Sequence, residues 1–217
     1  MNIACITYRE WAVDIYEKIY SVYNDRHNFL IWRDKHEYDE IKLLEFKPDI
    51  ILWYGWSWIV KDVFVNEFVS IMLHPSPLPK YRGGSPIQNQ IINGEKLGAV
   101  TLIKMNEGLD KGDIFQQLPM SLEGSLDEIF ERISSLGFAS TCNIIEGNFN
   151  LTKQDNSIST YFSRRTKDES EITLDEFKDM PAEYLYNKIR MLADPYPNAF
   201  FKTADGRKLI FKNVEID

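Results

Sequence analysis

Short apolar runs alternate with amphipathic stretches along the first two-thirds of the chain, and this alternation predicts an α/β fold. Residues 2–7 read as a buried strand, and residues 9–22 as a helix with Trp11, Ile15, Ile19 and Val22 at helical spacing. Residues 29–32 are a second strand. Residues 38–46 form a weaker helix that stops before Lys47-Pro48, because proline disfavours helix in the residue preceding it. Residues 49–54 predict a third strand, 59–68 a helix, and 69–73 a fourth strand ending at His74. Residues 87–92 are helical up to the stop signal Asn93-Gly94, and residues 99–105 and 114–122 complete the strands. Ser125 and Glu128 have the spacing of a capping box. The helix that follows carries Leu126, Ile129, Phe130, Ile133 and Leu136 on one face, and Gly147 ends it. Strands alternating with helices imply a Rossmann-like, mostly parallel sheet covered on both faces, assigned to residues 1–150.

Residues 151–217 follow another pattern and read as a small C-terminal α+β appendage. Residues 152–175 are polar, with Tyr161, Phe162, Arg164 and Arg165 embedded in them. Residues 181–191 predict a helix, 194–198 a turn, and 199–211 a hairpin closed near Asp205-Gly206. Phe200, Phe201 and Phe211 make that hairpin apolar, which marks it as a candidate homodimer contact.

Composition narrows the function classes. The 217 residues are 44% hydrophobic and carry a net charge of −8, which supports a sizeable core and opposes a reader of extended nucleic acid. The two cysteines, Cys5 and Cys142, have no CxxC partner, so zinc and redox motifs fail and buried thiols in a reducing compartment fit. The amino terminus runs straight into a strand without the pattern of a signal peptide, and no apolar run has membrane-spanning length. The expected location is the cytoplasm, with no membrane association. The first strand is followed by Thr7-Tyr8-Arg9-Glu10-Trp11, without a glycine, and no P-loop sequence occurs. NAD and ATP are therefore excluded as cofactors.

The candidate chemistry lies in His74-Pro-Ser-Pro-Leu-Pro-Lys-Tyr-Arg-Gly-Gly-Ser-Pro86 and in Gly108-Leu-Asp-Lys-Gly-Asp113. His74 sits at a strand end, where parallel sheets place their ligands, and Asp110 lies in the loop after the next strand. Adjacent strands would bring the two together. A histidine and a carboxylate so placed can move protons during acyl transfer. One well-placed histidine and one carboxylate are too few for a metal site. His27 and His36 lie in polar segments and read as surface residues. In Trp53-Tyr-Gly-Trp-Ser-Trp58, Gly55 breaks the strand and leaves Trp56 and Trp58 in a loop at the same sheet end. That loop reads equally as core packing or as a seat for a flat heteroaromatic ligand. Lys80, Tyr81 and Arg82 are either surface charges or a site for an anionic substrate group.

Met72-Leu-His74-Pro-Ser-Pro-Leu-Pro79 and Leu109-Asp110-Lys-Gly112 resemble the Asn-x-His-Pro-Ser-x-Leu-Pro and Leu-Asp-x-Gly motifs of the formyltetrahydrofolate-dependent formyltransferases. The resemblance covers roughly residues 1–147 and is greatest, with a compact appendage, to the short sugar N-formyltransferases. It implies 10-formyltetrahydrofolate as co-substrate, held against Tyr54, Gly55, Trp56, Ser57, Trp58 and Ile59 and against Met105, Asn106, Glu107 and Gly108. It implies His74 and Asp110 as catalytic residues. The family's asparagine position holds Met72, which cannot donate a hydrogen bond to an oxyanion, and Asn106 or Gln88 are candidate substitutes. The expected acceptor is a nucleotide-linked amino sugar, met by Arg9, Ser76, Lys80, Tyr81, Arg82 and Gly83. Tyr161 or Phe162 would stack on a base or sugar, and Arg164 or Arg165 would face the diphosphate. A formyltetrahydrofolate hydrolase and a non-catalytic folate- or sugar-binding protein are the competing readings.

Overall fold

In the computed structural model, which describes residues 1–217, strand β1 (Asn2–Ile6) turns alternate side chains to opposite faces of a sheet. Ile3 and Cys5 enter one apolar cluster, and Ala4 and Ile6 enter another. The remaining strands of this sheet are β2 (Asn28–Trp32), β3 (Ile50–Trp53), β4 (Val69–His74), β6 (Leu97–Lys104) and β7 (Ile114–Ser121), while the two-residue β5 (Arg82–Gly83) pairs elsewhere. The order is β2-β1-β3-β4-β6-β7. The first four strands run parallel, β6 is antiparallel to β4, and β7 is antiparallel to β6. The mostly parallel, Rossmann-like sheet is thus present, with antiparallel pairing where β6 and β7 follow each other without a crossover helix.

Helices α1 (Glu10–Tyr23), α2 (Glu40–Phe46), α3 (Asp62–Asn66), α4 (Pro86–Ile92) and α5 (Leu126–Ile145) flank the sheet. The buried face of α1 is Ala12, Ile15, Tyr16, Ile19 and Tyr23. Val22, expected on that face, is exposed, because α1 packs along α5 and turns Tyr23 inward instead. The two helices and β4 meet closely at Gly137, where an added Cβ would lie 2.6 Å from Ile15 and 2.8 Å from Leu73. The capping box at the start of α5 forms as its sequence predicts: Ser125 accepts from the Glu128 N–H, and Glu128 accepts from the Ser125 N–H. The helix expected over 59–68 contracts to α3, leaving residues 59–61 without regular structure ahead of it.

The carboxyl-terminal residues supply β8 (Tyr161–Phe162), α6 (Leu174–Asp179), α7 (Ala182–Arg190), and an antiparallel hairpin of β9 (Phe200–Lys202) and β10 (Lys208–Ile210). Ile172, Ile189, Met191, Leu192 and Ala199 join the same 27-residue core as β1 and α1. The buried ammonium of Lys188 on α7 donates to both Glu176 oxygens, at 2.6 and 2.9 Å, and to the Glu171 carbonyl. Burial pushes the Glu176 carboxyl up, but the Lys188 ammonium and the Thr173 N–H outweigh it and hold the group below its ordinary value. A lowered folded value means stability that is present at neutral pH and lost as the carboxylate protonates in acid. Lys188→Met is therefore expected to cost about 3 kcal/mol at pH 7. The difference from the parent should shrink below about pH 4. Urea unfolding at both pH values checks this, and an equal loss at both would contradict it.

Candidate active site

His74 ends β4 with its ring almost fully buried. Its Nε2 donates to the Tyr81 carbonyl at 2.8 Å, and its Nδ1 stands 3.7 Å from Asp110 Oδ2. Both ring nitrogens thus face oxygen acceptors. The two residues are close for a reason other than the one expected from the sequence. Because β6 is antiparallel to β4, the loop carrying Asp110 leaves β6 at the level of Ser70, where the Met105 N–H donates to the Ser70 carbonyl. The loop then folds back along β4 to reach His74, four residues further on. Asp110 takes a left-handed conformation (φ 53°), and its Oδ2 accepts from the Gly83 N–H at 2.7 Å.

The segment from Pro75 to Ser85 is tied to the sheet and to α4 by polar side chains. Thr101 donates to the Ser76 carbonyl, Gln90 to the Pro75 carbonyl, and Gln117 to the Leu78 carbonyl. Ser76 turns inward and donates to the Lys80 carbonyl. Tyr81, also left-handed (φ 60°), stacks on Phe162 with ring centroids 5.0 Å apart, and its N–H donates to Thr160 Oγ1. Arg82 is buried and faces inward: its guanidinium donates to Gln154 Oε1 at 3.1 and 2.6 Å and to Asn156 Oδ1 at 2.8 Å. Burial pulls its pKa down from the ordinary value, and the Asp110 charge opposes that shift. Lys80 remains exposed beside this network. Strand β8 pairs with β5 and seats the Tyr161 ring against Gly83 and the Arg164 backbone against Gly84. Tyr161 is 63% exposed, whereas Phe162 is spent on Tyr81. Arg164 faces solvent, and Arg165 is half-buried beside Glu169.

A second group lies beyond the ends of β1 and β3. Tyr54 is buried, with its hydroxyl at 2.9 Å from Thr141 Oγ1, so its side chain belongs to the core and only its backbone can meet a ligand. Gly55 has φ 66°, and a Cβ there would meet the Arg9 side chain at 2.7 Å. Trp56 and Trp58 pack 4.8 Å apart and contact the ring of Tyr8, whose hydroxyl bonds Ser57. Trp58 is half-exposed and Ile59 is 97% exposed. Arg9 lies between the rings of Tyr8 and Tyr196, at 4.6 and 5.5 Å. Met105 packs on the smaller core cluster, and Asn106 accepts from the Gly108 N–H. Glu107 is exposed. Met72 lies on β4 opposite Ile103, and the buried Gln88 amide nitrogen has no partner. A surface depression of about 870 Å³ lies around Trp32, Tyr38 and Lys42, and neither His74 nor Asp110 lines it.

The partners from residues 154–160 leave no signal in the sequence. Gln154, Asn156 and Thr160 lie in a polar stretch without periodicity, so no pattern distinguishes the buried glutamine from its solvated neighbours. No helix is long and apolar enough to cross a membrane.

Comparison with known proteins agrees with this fold. The family model "Formyl transferase" matches residues 21–137, just over half of the chain. A methionyl-tRNA formyltransferase from Campylobacter curvus is 35% identical over 176 residues, covering 80% of this chain and 56% of that protein. The chain spans about half the length of the curated relatives it matches. Among solved structures, a methionyl-tRNA formyltransferase from Clostridium thermocellum superposes with a TM-score of 0.90 at 32% identity, covering 100% of this chain and 94% of the other. A 4-N formyltransferase from Francisella tularensis shares the fold, with a TM-score of 0.77 at 21% identity over 100% of this chain and 98% of the other. A family match across more than half the sequence, and a relative one-third identical along nearly its whole chain, make this protein a member of the formyl transferase family.

Proposed function

We propose that the protein is an N-formyltransferase that moves the formyl group of 10-formyltetrahydrofolate to the amine of a nucleotide-linked amino sugar. The observation that carries this reading is the buried His74–Asp110 pair, with His74 Nε2 bearing a proton and Nδ1 facing a carboxylate. The partly exposed rings of Trp56 and Trp58, packed 4.8 Å apart beside Tyr8, offer aromatic contacts to a heteroaromatic ring. The Met105–Gly108 loop leads from that region to Asp110. When bound, 10-formyltetrahydrofolate supplies a formyl carbon whose nitrogen substituent leaves as an amine. His74 holds the proton that such a nitrogen takes up, or donates a hydrogen bond to an oxygen that gains charge. Asp110, 3.7 Å from Nδ1, fixes the orientation of the ring.

For the acceptor, the exposed ring of Tyr161 over Gly83 and the exposed cations Lys80 and Arg164 beside it provide a stacking face and charges for a diphosphate. The net charge of −8 disfavours a long polyanion. Methionyl-tRNA is the second reading, favoured by the 30–35% identity to methionyl-tRNA formyltransferases. Incubation with 10-formyltetrahydrofolate and either a panel of nucleotide-linked amino sugars or methionyl-tRNA separates the two. A sugar product heavier by one formyl group is expected. Formylation of methionyl-tRNA alone would replace the sugar reading with the second.

A further inference from the structure

A polar chain runs from the carboxyl-terminal part of the molecule into the His74–Asp110 pair, and Gln154 is its hub. Gln154 Nε2 donates to the Asp110 carbonyl and to the Gly112 carbonyl, each at 2.8 Å. Its Oε1 accepts both fork nitrogens of Arg82. The next residue after Arg82, Gly83, donates its N–H to the Asp110 carboxylate. Asp110 is therefore held at its backbone by Gln154 and at its side chain by the Arg82–Gly83 strand, which Gln154 also anchors. All of this is buried: Gln154 is 9% exposed, Arg82 3% and Asp110 6%. Asp110 needs such a hold, because a non-glycine residue in the left-handed region stays there only when its surroundings over-determine it. The Arg82 guanidinium meets only neutral amide oxygens, and no carboxylate pairs with it directly.

We propose that Gln154 is a positioning residue for catalysis: it sets the Asp110 carboxylate against His74 by bridging the Asp110 backbone to the buried Arg82. This rests on the His74–Asp110 reading of the reaction. The two amide donations keep the loop folded back along β4, and the amide oxygen locks the strand whose N–H receives the carboxylate. Loss of the donations lets the carboxylate swing away from Nδ1, and misplacement by about 1 Å costs on the order of a hundredfold in rate.

Gln154→Glu is the informative variant, since it keeps an acceptor for Arg82, and adds a charge to it, while removing both donations to the loop. The expected result is a fall in kcat of about a hundredfold, with KM for donor and acceptor within about threefold. Asn156→Ala, which removes only the second Arg82 contact, is expected to keep kcat within about threefold. The Gly83 amide reports the same placement without turnover: its hydrogen exchange should accelerate in Gln154→Glu while amides of β1 and α5 keep the parent rates. Gln154→Met, which loses both donors without adding charge, should behave in the same way and serves if the glutamate variant fails to fold. A purely structural clamp would leave kcat near the parent value in Gln154→Glu, or lower it equally in Asn156→Ala, and either result overturns the proposal. If the parent transfers no formyl group, the functional reading fails. The Gly83 exchange then decides, and an unchanged rate in the Gln154 variants overturns the positioning role.

Discussion

His74→Asn is expected to lower formyl transfer by about a thousandfold while leaving affinity for the formyl donor within about threefold. Asparagine places its amide near the Nδ1 position and gives up the Nε2 bond to the Tyr81 carbonyl, but the Thr101, Gln90 and Gln117 bonds still hold the loop after His74. The substitution removes the imidazole that faces Asp110 and with it the group that can pass a proton. Single-turnover rates, together with calorimetric titration with tetrahydrofolate, separate these contributions. A variant within tenfold of the parent would take His74 out of the chemistry. A collapse of folate affinity with an unchanged single-turnover rate would instead make it a binding residue.

Gly83→Ala carries the second large effect, because it acts on both fold and site. Gly83 has φ 92°, and an added Cβ would lie 2.2 Å from the Phe162 carbonyl and 2.7 Å from the Tyr161 ring. The first of these is backbone and cannot rotate away. Relief requires β5 and β8 to separate, which breaks the bonds from Arg82 N–H to the Thr160 carbonyl and from Gly84 N–H to the Phe162 carbonyl. It also displaces the N–H that holds Asp110. A loss of about 3 kcal/mol in stability is expected. A fall in kcat of about a hundredfold should accompany it. Gly94→Ala is the matched control, since Gly94 also has a positive φ (79°) but nothing within 4 Å of an added Cβ. It should lose only the conformational cost of about 1 kcal/mol. Equal losses in the two variants, read by denaturant unfolding, would show that the β5–β8 contact contributes nothing.

Much of the fold is legible because the elements that position the site are strongly patterned. The strand ending at His74, the capping box at Ser125 and the hairpin near Gly206 each announce themselves by local chemistry. The antiparallel course of β6 is less legible: nothing in residues 97–104 distinguishes it from a parallel strand, and its direction follows from pairing along the whole of β4. His74 and Asp110 are found by motif, whereas their contact depends on a loop that folds back, which spacing alone does not encode. Arg82 illustrates a further limit. A cation after Lys80 and Tyr81 reads naturally as substrate-facing, yet Gln154 and Asn156, more than seventy residues away, turn it inward. Tyr54 goes the same way, since Thr141 on α5 offers its hydroxyl a buried partner. Long-range polar partners of this kind leave no periodic trace in a sequence.

The most direct test counts products. The protein is mixed with 10-formyltetrahydrofolate and an amino-sugar nucleotide, and tetrahydrofolate and formylated amine are quantified together by mass spectrometry. Formyl transfer at the His74–Asp110 site predicts one formylated amine for each tetrahydrofolate, and negligible tetrahydrofolate without the amine. Tetrahydrofolate and free formate accumulating at the same rate with or without the amine would contradict the transferase and identify a hydrolase.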